Sequence, residues 1–180
     1  MKLERTLGVS NVSSVLIKST IALSFAVAMG LSALLKIYLP FTPVPVTLQT
    51  FVLLFGAGML GGYYSLQMVG WYLLLGLIGA PFFVGGSGME CIFGATGGYL
   101  IGFVFAAAII GFISKKMQTK LGALSIYLLA AVAIYVPGVI QLKFVTGSTW
   151  IAALSMGVFP FIIFDLIKSV LAFAAQKKVC

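Results

Sequence analysis

The sequence predicts an all-α integral membrane protein, a bundle of six transmembrane helices joined by irregular external loops. Three observations predict it. The chain is 62% hydrophobic and only 8% charged, with a mean hydropathy of +1.20, far from the composition of a water-soluble domain. Apolar runs recur along its whole length with short polar breaks, which leaves no room for a separate aqueous domain, so residues 1–180 read as a single membrane-embedded unit. The basic residues bracket those runs instead of gathering into a stripe with interleaved aromatics, so the net charge of +8 encodes topology and not nucleic-acid binding.

Residues 1–18 carry Lys2, Arg5 and Lys18 against Glu4 and read as a cytoplasmic lead-in without a removable signal peptide. The first span covers 19–39. Ala22, Ala26 and Gly30 fall four apart on it, a stripe of small residues that lets another helix approach, from within the bundle or from an external partner. Pro40, Pro43 and Pro45 then hold a stiff non-helical segment, because a residue preceding proline is driven to extended backbone. Helices follow over 49–61 and 65–79, the latter carrying Trp71 and Tyr72, with a tight turn at Gly61-Gly62. Both are short for a span that rises about 1.5 Å per residue, so they are expected to extend into the adjoining segments or to cross a thinned layer.

Residues 80–98 are crowded with glycine, including Gly85, Gly86, Gly88, Gly94, Gly97 and Gly98. That density means backbone that approaches something closely or adopts positive φ. No Gly-Lys-Ser/Thr follows, which excludes a nucleotide loop. A flexible outer loop is one reading; the other is the lid or wall of a ligand cavity. The second is favoured, since irregular backbone at membrane depth is tolerated where it is buried or lines a cavity. A fourth helix covers 99–113 and is closed by Ser114-Lys115-Lys116, and a fifth covers 121–142 with a kink expected at Pro137-Gly138. Residues 148–158, led by Trp150, are too short to span and read as an interfacial segment. The sixth helix is expected to open at Pro160, where a missing N–H costs nothing, and to run to about Gln176.

With six helices and both termini on one side, that side holds Lys2, Arg5, Lys18, Lys115, Lys116, Lys120, Lys177 and Lys178, against Lys36 and Lys143 opposite. The positive-inside rule then places both termini in the cytoplasm and the proline and glycine segments outside. The chain has only three acids, Glu4, Glu90 and Asp165, and only Asp165 lies in an otherwise apolar run. Lys168 follows by one helical turn on the same face. Charges in hydrocarbon cost about 2.5–3.5 kcal/mol each on insertion scales, so the pair is expected to face a cavity and mark a site. An acid beside an ammonium suits a neutral polar ligand head, accepting its N–H groups and donating to its carbonyl. A plain salt bridge that fixes helix packing is the competing reading. The absence of histidine, and of a Ser or Cys beside a base, argues against an intramembrane hydrolase. Cys91 and Cys180 lack metal-ligand spacing, so neither a catalytic residue, a metal site nor a cofactor is expected.

Phe41-Thr42-Pro43-Val44-Pro45-Val46-Thr47-Leu48-Gln49-Thr50, Gly85-Gly86-Ser87-Gly88, Gly94-Ala95-Thr96-Gly97-Gly98-Tyr99-Leu100 and the run from Pro160-Phe161 to Asp165-Leu166-Ile167-Lys168 occur in this order. In motifs and spacing, over nearly the whole chain, the sequence resembles the BioY family, the biotin-specific substrate-binding (S) components of energy-coupling factor (ECF) vitamin transporters. The resemblance implies a bundle in a prokaryotic cell membrane that captures biotin from outside. It implies partners too: a transmembrane coupling (T) subunit, docked on the Ala22–Ala26–Gly30 stripe, and two ATPase (A) subunits. ATP would be hydrolysed there, since this chain has no Walker A sequence. For the ligand, it implies that Asp165 accepts a ureido N–H while Lys168 donates to the ureido oxygen or to the valerate carboxylate. Thr47, Gln49, Thr50, Ser87 and the amides of Gly85 and Gly86 would add hydrogen bonds, and Tyr99 and Trp71 would flank the ring. The chain departs from the family pattern at Ile163-Phe164, where Pro-Gly is usual, at Ala95, where Pro is usual, and at Met89, where glycine is common. These departures bear on the pocket mouth. The alternatives are an S component for another small vitamin, or a membrane-embedded structural or assembly subunit whose two charges pair only with each other.

Overall fold

The computed structural model describes residues 11–114, 117 and 119–179. The lead-in at 1–10 and the stop at Lys115-Lys116 lie outside these residues. Helix α1 (Asn11–Ser32) leads to a minimal antiparallel pair, β1 (Lys36–Ile37) and β2 (Val46–Thr47), with Lys36 opposite Thr47 and Ile37 opposite Val46. Next come α2 (Gln49–Leu60), α3 (Gly62–Leu77), the single-turn α4 (Met89–Phe93), α5 (Gly97–Ile113), α6 (Lys120–Thr146), α7 (Trp150–Gly157) and α8 (Ile162–Val179). Among the described residues, α1, α2, α3, α5, α6 and α8 are the helices of 12–27 residues, in agreement with a six-helix bundle.

By length and composition two helices can cross a membrane alone, Ser13–Ser32 and Leu121–Thr146, and a third span is possible if Trp150–Gly157 and Ile162–Gln176, bent by 46°, act as one. Helix α2 stays short at 12 residues, roughly 18 Å. Pro45 and the extended β2 precede it, and Gly61 ends it with φ 66°, a conformation that favours glycine. It is also the hub: α1, α3, α5 and α8 all pack on it. Leu53, Leu54 and Ala57 on α2 meet Met68, Val69 and Tyr72 of α3 and Phe103 and Ile110 of α5 in one buried core. Outside, large apolar side chains such as Leu31, Phe105, Val132, Ile151 and Leu171 are exposed. A water-soluble protein would not present so continuous an apolar surface, whereas a bilayer solvates it.

Several boundaries differ from expectation for identifiable reasons. Helix α1 begins at Asn11, inside the expected lead-in, and stops at Ser32 instead of residue 39. There Ser32 Oγ donates to the Met29 carbonyl at 2.7 Å, and the chain turns into β1. Helix α6 continues through Pro137 to Thr146, where Gly147 caps it at φ 64°. Pro160 does not open the last helix. It lies in a turn closed by Phe161 N–H donating to the Val158 carbonyl at 2.9 Å, and α8 starts two residues later.

The small-residue stripe of α1 faces inward. Ala22 and Ala26 are 0% exposed, and the space a side chain on Gly30 would need is filled by the Phe82 ring. The expectation that Ala22, Ala26 and Gly30 form a partner-docking surface is therefore corrected: α1 packs with this stripe on the chain's own α2 and α3, and no surface is left on it to cover.

Candidate functional site

Asp165 sits in the first turn of α8, where the helix N-terminus favours an acid, and Lys168 one turn on. Lys168 Nζ donates to Asp165 Oδ1 at 2.8 Å, and the two residues are 7% and 8% exposed. From α6, Tyr135 OH donates to the other carboxylate oxygen, Oδ2, at 2.7 Å. An acid, an ammonium and a phenol thus share one network, in which every hydrogen bond is charge-assisted.

The opposite wall comes from β2 and the start of α2. Thr47, Gln49 and Thr50 reach the same cavity as Asp165 and Lys168, together with Tyr99 of α5. Gln49 is buried, and its amide donates to Tyr72 OH at 2.8 Å and to the Phe82 carbonyl at 3.4 Å. The ring of Tyr99 lies where a side chain on Gly138 would be, and its hydroxyl donates to the Gly157 carbonyl at 2.8 Å. The enclosed space is about 60 Å³, room for only a few waters.

Three segments are tied together around this cavity. Lys36 Nζ donates to the Val84 carbonyl at 2.9 Å, Thr42 Oγ1 to the Met156 carbonyl at 2.7 Å, and Gln141 Nε2 to the carbonyls of Ile92 at 2.6 Å and Gly94 at 2.8 Å. The proline segment, the glycine segment and the end of α7 are thereby joined, and Val44, Pro45, Val84 and Thr96 from the first two line the cavity.

Of the residues expected at the site, Thr47, Gln49, Thr50, Tyr99, Asp165 and Lys168 line this cavity. Gly85, Gly86 and Ser87 do not. Phe83 and Gly86 exchange backbone hydrogen bonds of 3.0 Å in a tight reversal, which drives the Phe83 ring into the core against Tyr72, so the segment meets the cavity through Val84. Trp71 is also displaced from the expected place: it is 37% exposed, and it is its neighbour Tyr72 that points inward. Cys91, in the glycine segment, has its thiol pushed up by burial and by the Glu90 carboxylate, so it is not poised as a nucleophile. Tyr135 is the charged network's addition that sequence reasoning missed, alongside lining residues such as Phe103, Ile134 and Phe161. A signal for Tyr135 existed, a hydroxyl in the apolar run Ala131-Val132-Ala133-Ile134-Tyr135, which needs a partner once buried.

Composition, fold and site together define a multi-pass membrane protein with a polar, charged constellation set among its helices. Residues 5–180 match the BioY family, and the chain belongs to that family. It is similar to the biotin transporter BioY of Thermotoga maritima, 40% identical in an alignment of 141 positions that covers 76% of this chain and 80% of that one. Its fold is similar to a crystal structure at 2.1 Å of the S-component for biotin from an ECF-type ABC transporter. The TM-score is 0.84 at 29% identity, covering 95% of this chain and 94% of the other.

Proposed function

We propose that this chain is the biotin-binding S component of an ECF-type importer in a prokaryotic cell membrane. It captures the vitamin from outside, while a separate T subunit and two ATPase subunits drive its import. The observation that carries this reading is the buried Asp165–Lys168 pair on the wall of a cavity whose other wall is Thr47, Gln49 and Thr50. Family membership and the names of its relatives support biotin as the ligand. Biotin's ureido group offers two N–H donors and one acceptor, and Asp165 with Lys168 offers the complementary set. Both termini lie in the cytoplasm on the positive-inside count, with Lys36 and Lys143 outside.

The cavity of about 60 Å³ is well below the roughly 300–1,000 Å³ of ordinary ligand pockets, so the proline and glycine segments must part to admit the vitamin. The bonds Lys36 to Val84 and Thr42 to Met156, both only partly buried, are the ones to open.

Calorimetry of the purified protein with biotin in detergent is the test, and an absence of heat at micromolar protein overturns the reading. A second reading, a purely structural ion pair, is favoured by one observation: both Asp165 oxygens are already satisfied within the chain. Exchanging the charges, Asp165→Lys with Lys168→Asp, separates the two. The fold survives and binding is lost if the pair holds biotin; a folded exchange variant that still binds favours the structural reading. Tyr135→Phe gives a graded result. Losing a hydrogen bond to a charged group costs about 1.5–3 kcal/mol of stability, and the carboxylate loses the group that orients it, so melting temperature and affinity should both fall while the protein still folds. Unchanged affinity in calorimetry would remove Tyr135 from the site.

A further inference from the structure

A second cavity, about 580 Å³, opens on the outer side of α6, α7 and α8. Leu128, Val132, Val136 and Ile140 line it at four-residue spacing along one face of α6, opposite Leu154 of α7 and Leu166 of α8. Val132, Val136 and Leu166 are about half exposed, so this is a groove that faces out of the bundle, where the surrounding solvent is lipid. From residue 128 to residue 140 it extends roughly 18 Å along the helix. Half of a hydrocarbon core is about 15 Å, so the groove has the length of one leaflet.

Its two ends differ. At one end the indole of Trp150 lines the groove, and Lys143 Nζ stands 4.9 Å from that ring and 4.8 Å from the ring of Phe144. A tryptophan and a lysine together are the signature of a membrane interface, and the ammonium supplies positive charge at headgroup level. Deeper in the groove lie Tyr135 and Asp165, which line the inner cavity as well.

We propose that this groove holds one acyl chain of a phospholipid, with the lipid phosphate at Lys143. Leaflet-length apolar walls with a cation at the interfacial end complement an anionic headgroup on a hydrocarbon tail. A second copy of the chain would find no reason for that cation. The seated acyl chain forms the outer wall behind Tyr135 and Asp165 and keeps water from their hydrogen bond. The inference rests on the membrane-embedded fold and stands whether or not the inner cavity takes biotin.

The chain has two tryptophans, so Trp71→Phe leaves Trp150 as the only indole. In detergent, this variant is titrated with phosphatidylglycerol brominated on an acyl chain, and Trp150 fluorescence is followed. Quenching should saturate at about one lipid per protein. Adding Lys143→Gln should raise the half-saturating lipid about fivefold, the effect of one basic residue at a membrane surface. Ala131→Phe, which fills the floor of the groove, should abolish the saturable component. Quenching that rises linearly with lipid and ignores Lys143→Gln overturns the proposal, as does equal quenching by a brominated diacylglycerol without phosphate. A two-copy assembly that shields Trp150 from the lipid would assign the groove to a second chain and overturn it too.

Discussion

Asp165→Asn is expected to weaken biotin binding by about a hundredfold or more. The asparagine still accepts the Tyr135 hydroxyl, but it loses the charge that strengthens that bond and the one to the ligand, each worth about 1.5–3 kcal/mol. It also leaves the Lys168 ammonium, 8% exposed, without its counter-charge. Breaking one side of a buried pair costs about 3–5 kcal/mol, so the melting temperature in detergent should fall together with affinity. Glu90→Gln is the control. Glu90 is exposed and does not line the cavity, so both readings should stay at the parent value. Parent-like affinity in folded Asp165→Asn would mean that the carboxylate does not touch the ligand.

What the chain disclosed beforehand follows from which signals are local. A charge in an apolar run is visible at once, which is why Asp165 and Lys168 stood out. The helices stood out for the same reason, being apolar runs cut by Pro and Gly. The end of α1 depended on β1 finding β2 some ten residues later, a pairing that the apolar run through residue 39 conceals. Ala22, Ala26 and Gly30 revealed a face of small residues but not which neighbour would use it; the Phe82 ring over Gly30 comes from a distant turn. Helical geometry rotates neighbours by about 100°, so Trp71 and Tyr72 could not both point inward, and nothing in the pair itself says which does. Tyr135 became a site residue only because α6 crosses α8 where Asp165 lies.

That crossing rests on α5, and Gly102→Val is expected to disrupt it. Gly98 and Gly102 lie four apart on α5 and face the backbone of α6 at Pro137 and Ile134. A carbon added to Gly102 would stand 2.7 Å from both the Cα and the carbonyl oxygen of Ile134. These are main-chain atoms, so no rotamer change relieves the contact, and α5 and α6 must move apart. Overpacking costs about 1–3 kcal/mol where side chains can adjust, and here the cost should reach or exceed the upper end. Close backbone approach through small residues is also what holds helices together in lipid, where burial of apolar surface between helices contributes little. Because Tyr135 follows Ile134, the same displacement draws its hydroxyl from Asp165, so affinity for biotin should fall along with stability. Gly70→Ala makes the comparison. Gly70 is exposed on α3 with nothing within 4 Å of an added carbon, so alanine there should stabilise by about 0.5–1 kcal/mol. Thermal unfolding of the three proteins in one detergent decides the matter, and a Gly102→Val variant that melts with the parent would mean that α5 and α6 are not in backbone contact.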